Sequence, residues 1–233
     1  VGISGTLLGG LLIYYSGSSL LQQSCLLGLS GGIMTAVVLF DLWPEALHYG
    51  SLLTTTVGTL LGFSLIIRFE AVMKLVPWFR KRNYSRIVKL GLLLGVGIGS
   101  HNFPEGVALG TTYAVSRHVR EWIGLAFLMA AHNIPEGMVM ASAFKIGKVR
   151  FGKIVLSLIA VEIPMALGGG VGAFLGKISG EMVALSLGFA GGAMLLLVGK
   201  ELLPLAKELA GGLWVGIGFG IGILLGSVLI GLI

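Results

Sequence analysis

Two hexapeptides hold the side chains in this sequence best equipped for chemistry. Residues 101–106 read H-N-F-P-E-G and residues 132–137 read H-N-I-P-E-G; they begin 31 residues apart and agree at five of six positions. In each, histidine and glutamate stand four residues apart, so on a helix they share one face, about 6 Å apart along the axis. His101 with Glu105 and His132 with Glu136 thus offer two imidazoles and two carboxylates, an N2O2 donor set suited to zinc or a similar divalent ion. Asn102 and Asn133 turn about 100° away and offer carbonyl oxygens to a second position. Pro104 cannot bond back to the carbonyl of Ser100, nor Pro135 to that of Ala131, so a kink and an exposed carbonyl are expected at each copy. Gly106 and Gly137 let backbones approach closely.

Other polar residues interrupt apolar runs. Glu162, in V-E-I-P-M, is the only charge between Lys153 and Lys177. As a third carboxylate it would bring the charge of two dications nearer to balance; a hydrogen bond bridging two helices is the alternative. Asp41, Glu45 and His48 are spaced i, i+4, i+7 on one stripe, either an entrance that gathers cations or a wetted helix end. Glu201 and Glu208 beside Lys200 and Lys207 read as a solvated helix end, and His118, beside Arg117 and Arg120, takes no role. Met34 reads as packing on sequence grounds. Cys25, the single cysteine, excludes an internal disulfide and a thiolate cage.

The elements that must position these groups follow from composition. Of 233 residues, 55% are hydrophobic and only 11% charged, and mean hydropathy is +0.98. Twenty-six charges cannot coat a soluble core of this size. The 39 glycines without a G-x-y period exclude collagen and suit packed membrane helices. Eight apolar runs, roughly 1–16, 24–46, 52–73, 88–113, 121–144, 152–176, 181–203 and 211–232, are each close to the ~20 residues a spanning helix needs. The expected fold is therefore all-α: a single transmembrane domain over 1–233 with eight membrane helices. The hexapeptides fall in the middle of spans four and five, where ionisable groups cost about 2.5–3.5 kcal/mol each and mark a functional site by default. These two spans are sequential and antiparallel, so their polar faces can converge.

Lysine and arginine set the orientation. Thirteen of the sixteen follow spans three, five and seven; only Arg117, Arg120 and Lys177 fall on the other side. The positive-inside rule puts the thirteen in the cytoplasm and both termini outside. The same distribution accounts for the net charge of +6 without nucleic acid. Val1 opens inside an apolar stretch with no basic region before it, so no cleavable signal peptide is expected. Trp43, Tyr49, Tyr113 and Trp122 lie near the outer ends as interface anchors. Glycines at four-residue steps (91, 95, 99; 168, 172, 176; 212, 216, 220) should each clear a helix face for a neighbour. G-V-G-I-G-S at 95–100 follows no strand and is not a dinucleotide fingerprint.

Paired H-N-x-P-E-G segments in the fourth and fifth of eight spans resemble the ZIP (Zrt/Irt-like) divalent metal transporters, especially their bacterial-type branch. G-G-I-M and D-L-W-P-E-A in span two, E-I-P in span six and E-L-L-P in span seven extend the resemblance over essentially the whole chain. It implies a binuclear mid-membrane site. His101, Glu105, His132 and Glu136 would hold the principal ion. Asn102, Asn133 and Glu162, with bridging Glu105 and Glu136, would hold the second, and Met34 joins as a further ligand. It also implies a homodimer, with spans one, four, five and six moving against the other four. Two departures stand out: Asn133 and Glu136 replace the first Glu and the His of the H-E-x-P-H-E found in the animal and plant branch, and the loop after span three contains no histidine. Asn133 removes a negative charge found in some relatives, which weakens the second position.

The expected function is entry of Zn2+, or of Fe2+, Mn2+, Co2+ or Cd2+, into the cytoplasm across a bacterial inner membrane. The metal is cargo, and no catalytic cofactor or enzymatic activity is expected. Ligands must be deprotonated, so acid should slow uptake through the histidine range. An intramembrane zinc hydrolase is the less apt reading, because four protein ligands close a site that catalysis needs open. A proton-coupled carrier of a small organic substrate would use the His/Glu set as a relay.

Overall fold

The computed structural model describes residues 1–16, 19–75, 86–116 and 118–232; within these, the side chains of 16, 69–75, 86, 87, 89, 90, 93, 94, 97, 100, 101 and 201 lie outside the description. Much of the basic loop after the third apolar run, including Arg80, Lys81 and Arg82, is therefore outside the described residues, as is Arg117.

The described elements are all helical. They group into eight rods: α1 Gly2–Ser16, α2 Leu20–Tyr49, α3 Leu52–Leu75, α4 Arg86–Val115, α5 Val119–Ile146, α6 Phe151–Leu175, α7 Gly180–Ala210 and α8 Gly212–Leu232. Five of them (α2, α5, α6, α7 and α8) are long and apolar enough to cross a membrane, and Gly2–Tyr15 and Leu52–Arg68 are shorter apolar helices. Local chemistry sets the ends. Ser19 caps α2 reciprocally with Gln22, the Ser179 side chain accepts from the Met182 N–H at the start of α7, and Gly211 turns α7 into α8 at φ +83°.

Prolines shape several of the rods. α4 and α5 remain helical through Pro104 and Pro135. Breaks or π turns appear in three other rods. α2 and α7 each widen into a π turn, Val38–Leu42 and Val198–Leu202, just before Pro44 and Pro204. The wide turn accommodates a residue that cannot bond back, so both helices run further than the apolar runs suggested. α6 breaks at Val161 and Glu162, ahead of Pro164.

Two groups of four helices result. The most intimate pairings are α2 with α8, α3 with α7, α4 with α6 and α1 with α5. Glycine makes each one: a Cβ would overlap partner backbone at Gly28 and Gly218 in the first pair, Gly58 and Gly188 in the second, Gly106 and Gly168 in the third, and Gly5 and Gly137 in the fourth. α1, α4, α5 and α6 form one half; α2, α3, α7 and α8 form the other. Every glycine-to-backbone contact that the described residues make lies inside one half. Between the halves side chains meet instead, as where Phe103 of α4 and Phe189 of α7 sit edge to face at 6.4 Å.

The glycine rows need one correction. Gly168 and Gly172 pack on α4 as expected, but no described atom approaches a Cβ at Gly212, Gly216 or Gly220 within 4 Å; Gly218, Gly222 and Gly226 face α2 instead. In G-x-x-x-G-x-G-x-G-x-G the two rows are equally regular, so periodicity could not choose between them. Half-buried Trp43 packs on Gly191 of α7, and Tyr113, near the end of α4, stacks edge to face at 5.4 Å on Trp122, in the first turn of α5.

Polarity is inverted relative to a water-soluble protein. Large apolar side chains such as Leu53, Leu60, Leu156, Phe174 and Leu224 point outward, while Glu105, His132, Glu136 and Glu162 are at most 2% exposed. A solvent of lipid produces this distribution.

Candidate metal centre

Antiparallel α4 and α5 bring the two hexapeptides level. His132 Nε2 lies 3.0 Å from Glu105 Oε1, both side chains fully buried. His132 Nδ1 stands 3.1 Å from the carbonyl oxygen of Leu128, one turn back on α5. A carbonyl can only accept, so Nδ1 carries the hydrogen and donates it there. Nε2 then meets the carboxylate with a single proton between them, as imidazolium and carboxylate or as imidazole and carboxylic acid. A backbone carbonyl that fixes one ring nitrogen and leaves the other aimed at a carboxylate is the support a metal-ligating histidine needs. A dication taking the place of that proton would bind both groups. Glu105 Oε2 has no hydrogen-bond partner among the described residues, and it is buried.

The remaining candidates are deployed unequally. Glu136 accepts from Ser30 of α2 at 2.9 Å, and the same hydroxyl lies 3.2 Å from the His132 carbonyl. Asn102 donates its amide to the Val161 carbonyl at 2.7 Å, where α6 breaks, while its Oδ1 has no partner among the described residues. Asn133, also fully buried, has a partner on neither amide atom among those residues. Glu162 accepts from the Thr6 hydroxyl of α1 at the N-terminus of the second half of α6. Met34 is fully buried one turn beyond Ser30, in a core cluster with Leu128 and Met129 of α5. The side chain of His101 lies outside the described residues. Among those residues no three His, Cys, Asp or Glu side chains gather into a cluster that could hold a metal ion; the joined pair is Glu105 with His132.

Asp41 and Glu45 line one cavity, of about 320 Å³, toward the C-terminal end of α2. His48 is not among its walls; exposed, it meets the Tyr49 ring edge to face at 5.4 Å. Sequence reasoning missed Ser30 and Thr6, the hydroxyls that hold Glu136 and Glu162. Both are polar residues inside apolar runs, and Ser30 shares a helical face with Met34, a signal available from spacing alone.

The fold and its buried polar centre define a polytopic helical membrane protein with an ionisable site at the level of its core. No family model matches the chain. It is similar to two curated proteins named "Zinc transporter ZupT". One, from Stenotrophomonas maltophilia (strain R551-3), is 32% identical over 206 residues, covering 80% of this chain and 75% of that protein. The other, from Xanthomonas axonopodis pv. citri (strain 306), is 30% identical over 203 residues, covering 80% and 74%. The chain belongs to the ZupT family of zinc transporters, within the bacterial-type ZIP group. It is thus an integral membrane protein of a transporter family, not an enzyme.

Proposed function

We propose that this protein carries Zn2+ inward across a bacterial inner membrane, through eight spans with both termini outside. Fe2+, Mn2+, Co2+ and Cd2+ fall within reach of the same mixed nitrogen and oxygen chemistry. The site comprises His101, Glu105, His132 and Glu136 for the principal ion. Asn102, Asn133 and Glu162 serve a second position, with Met34 beside them. The observation that carries the reading is the fully buried His132–Glu105 pair, with Nδ1 held on the Leu128 carbonyl and Nε2 turned to the carboxylate. Once the shared proton leaves, the pair is an imidazole and a buried carboxylate with one negative charge, and a transported dication would take the place of that proton.

Transport requires the site to face each side in turn. Glycine-tight pairs inside each half and side-chain contacts between halves support a rigid movement of α1, α4, α5 and α6 against the rest. A homodimer, with α2, α3, α7 and α8 as the static half, belongs to the same reading. The test is zinc uptake into proteoliposomes loaded with a zinc-sensitive dye. Glu105→Ala and Glu136→Ala should each cut the rate by about tenfold or more. Undiminished uptake in both variants overturns the assignment.

A further inference from the structure

A second cavity, of about 510 Å³, lies between the two halves, with Leu65 and Ile66 of α3 on one side and Val96, Gly99, Ser157 and Pro164 of α4 and α6 on the other. That volume is in the range of a ligand pocket. Glycine opens it. A Cβ on Gly99 would find no described atom closer than 3.8 Å, so the row 91, 95, 99 ends against space rather than against a neighbouring helix. No charged side chain is among the described walls, and their one hydroxyl, on Ser157, already donates to the Lys153 carbonyl at 2.8 Å. Water needs two to four polar partners and finds no free side chain here among those residues. The cavity therefore suits hydrocarbon, not an ion in transit.

Its surroundings say which hydrocarbon. Leu65 and Ala160, in its walls, are exposed, and Leu61, Ile159 and Ile163 beside them point outward, so the mouth meets bilayer. From Leu92 to Phe103 the α4 wall runs about 16 Å, the hydrocarbon depth of one leaflet. One end is basic. Arg68 stands three residues beyond Leu65 and Lys153 four residues before Ser157, so each shares a helix face with a wall residue, and both are exposed. Odd-numbered rods run one way and even-numbered rods the other, as the parallel pairs α3–α7 and α4–α6 show, so the end of α3 and the start of α6 lie at the same side.

We propose that this cavity binds one anionic phospholipid, its acyl chain lying along α4 between the halves and its phosphate on Arg68 and Lys153. Its walls come from α3 in one half and from α4, α5 and α6 in the other, so the lipid bridges them and favours the arrangement described here. Val161, whose carbonyl holds Asn102, is also a wall, and the chain thus reaches the break of α6 beside the buried centre. An effect on transport rests on the reading above; lipid binding does not.

The probe is phosphatidylglycerol with a diazirine on its acyl chain, photolysed on the purified full-length protein in detergent and located by peptide mass spectrometry. Labels should fall on residues 92–103 and 157–164. Unlabelled phosphatidylglycerol should compete about tenfold or more better than phosphatidylcholine of the same chains. Glycerol phosphate, which carries the headgroup charge without the chains, should not compete. Gly99→Leu fills the cavity and should cut labelling by about tenfold at an unchanged melting temperature. Should that variant fail to fold, Arg68→Gln and Lys153→Gln decide: each should lower the preference for phosphatidylglycerol by about fivefold. Labels spread evenly over the exposed rods, equal competition by phosphatidylcholine, competition by glycerol phosphate, or labelling unchanged in folded Gly99→Leu or preference unchanged in both charge variants overturns the site. In proteoliposomes, zinc uptake should vary with phosphatidylglycerol content in wild type and not in Gly99→Leu; a dependence that survives there overturns the bridging role. If wild-type protein moves no zinc in any lipid while the labelling results hold, the transport reading falls and the lipid site stands.

Discussion

The two hexapeptides differ by one residue in sequence and by nearly every partner in space. The first, on α4, is tied within its own half: Asn102 donates to Val161 on α6, Glu105 faces His132 on α5, and Gly106 lies on the backbone of α6. The second, on α5, looks both ways. Gly137 lies on α1 inside the half, but Glu136 and the His132 carbonyl meet Ser30 of α2 across the boundary. Near-identical words thus do different work because their helices sit differently, α4 beside α6 and α5 beside both α1 and α2. The Glu105–His132 pair can travel as one unit, whereas the Glu136–Ser30 bond must break if the halves slide.

Where the copies agree, damage should be greatest and symmetric. A Cβ on Gly106 would overlap the Met165 carbonyl, and one on Gly137 the Thr6 carbonyl. Backbone cannot move aside as a side chain can, so the cost should exceed the ~1–3 kcal/mol typical of overpacking. Gly106→Val and Gly137→Val should both abolish the folded, monodisperse species seen by fluorescence size-exclusion chromatography. A well-folded product from either would show that its helix pair is looser than the glycine contacts require.

How much of this was legible beforehand follows from what spacing encodes. The helical fold, the approximate ends of the apolar runs and the nearness of Glu105 to His132 came from hydropathy and i, i+4 geometry. The partners of Glu136 and Glu162 did not, since Ser30 and Thr6 come from distant helices and no periodicity in either hexapeptide points to them. The other prolines were not singled out for a related reason. Beside Pro104 and Pro135, through which the helix assignment continues, α6 breaks ahead of Pro164 and α2 and α7 widen ahead of Pro44 and Pro204. Neighbouring helices support α4 and α5 on several sides; a proline's effect depends on that packing as much as on its missing N–H.

The asparagines give a sharper and smaller contrast. Asn102→Ala removes a buried bond at the α6 break and strands the Val161 carbonyl, at a cost of about 1–3 kcal/mol. Asn133→Ala removes two buried polar atoms that have no partner among the described residues, so stability should hold or rise. Thermal melting in detergent without added metal should separate them, Asn102→Ala falling below wild type and Asn133→Ala not. With Zn2+ added, the ordering tests ligation as well: if Asn133 serves the second position, metal should stabilise Asn133→Ala less than wild type. Equal melting of the two variants without metal would erase the difference between the copies at this position.

The smallest expected effect concerns the bond that crosses the boundary. Ser30→Ala leaves the helix intact, since serine and alanine differ by one oxygen, but Glu136 loses a donor from α2. A hydrogen bond of about 1 kcal/mol corresponds to roughly a fivefold change in an equilibrium between two arrangements of the halves. If the contact holds one arrangement, its loss shifts the population away from it. A cysteine pair replacing Gln23 and Ser142, whose side-chain amide and hydroxyl bond at 2.8 Å and join the same two helices nearer the other end, reads that population as yield with a short bifunctional thiol cross-linker. Ser30→Ala should lower the yield by a few fold while the melting temperature stays near wild type, because the bond is lost from only one of two folded arrangements. An unchanged yield would make Ser30 a partner of Glu136 alone, with no part in holding the halves together.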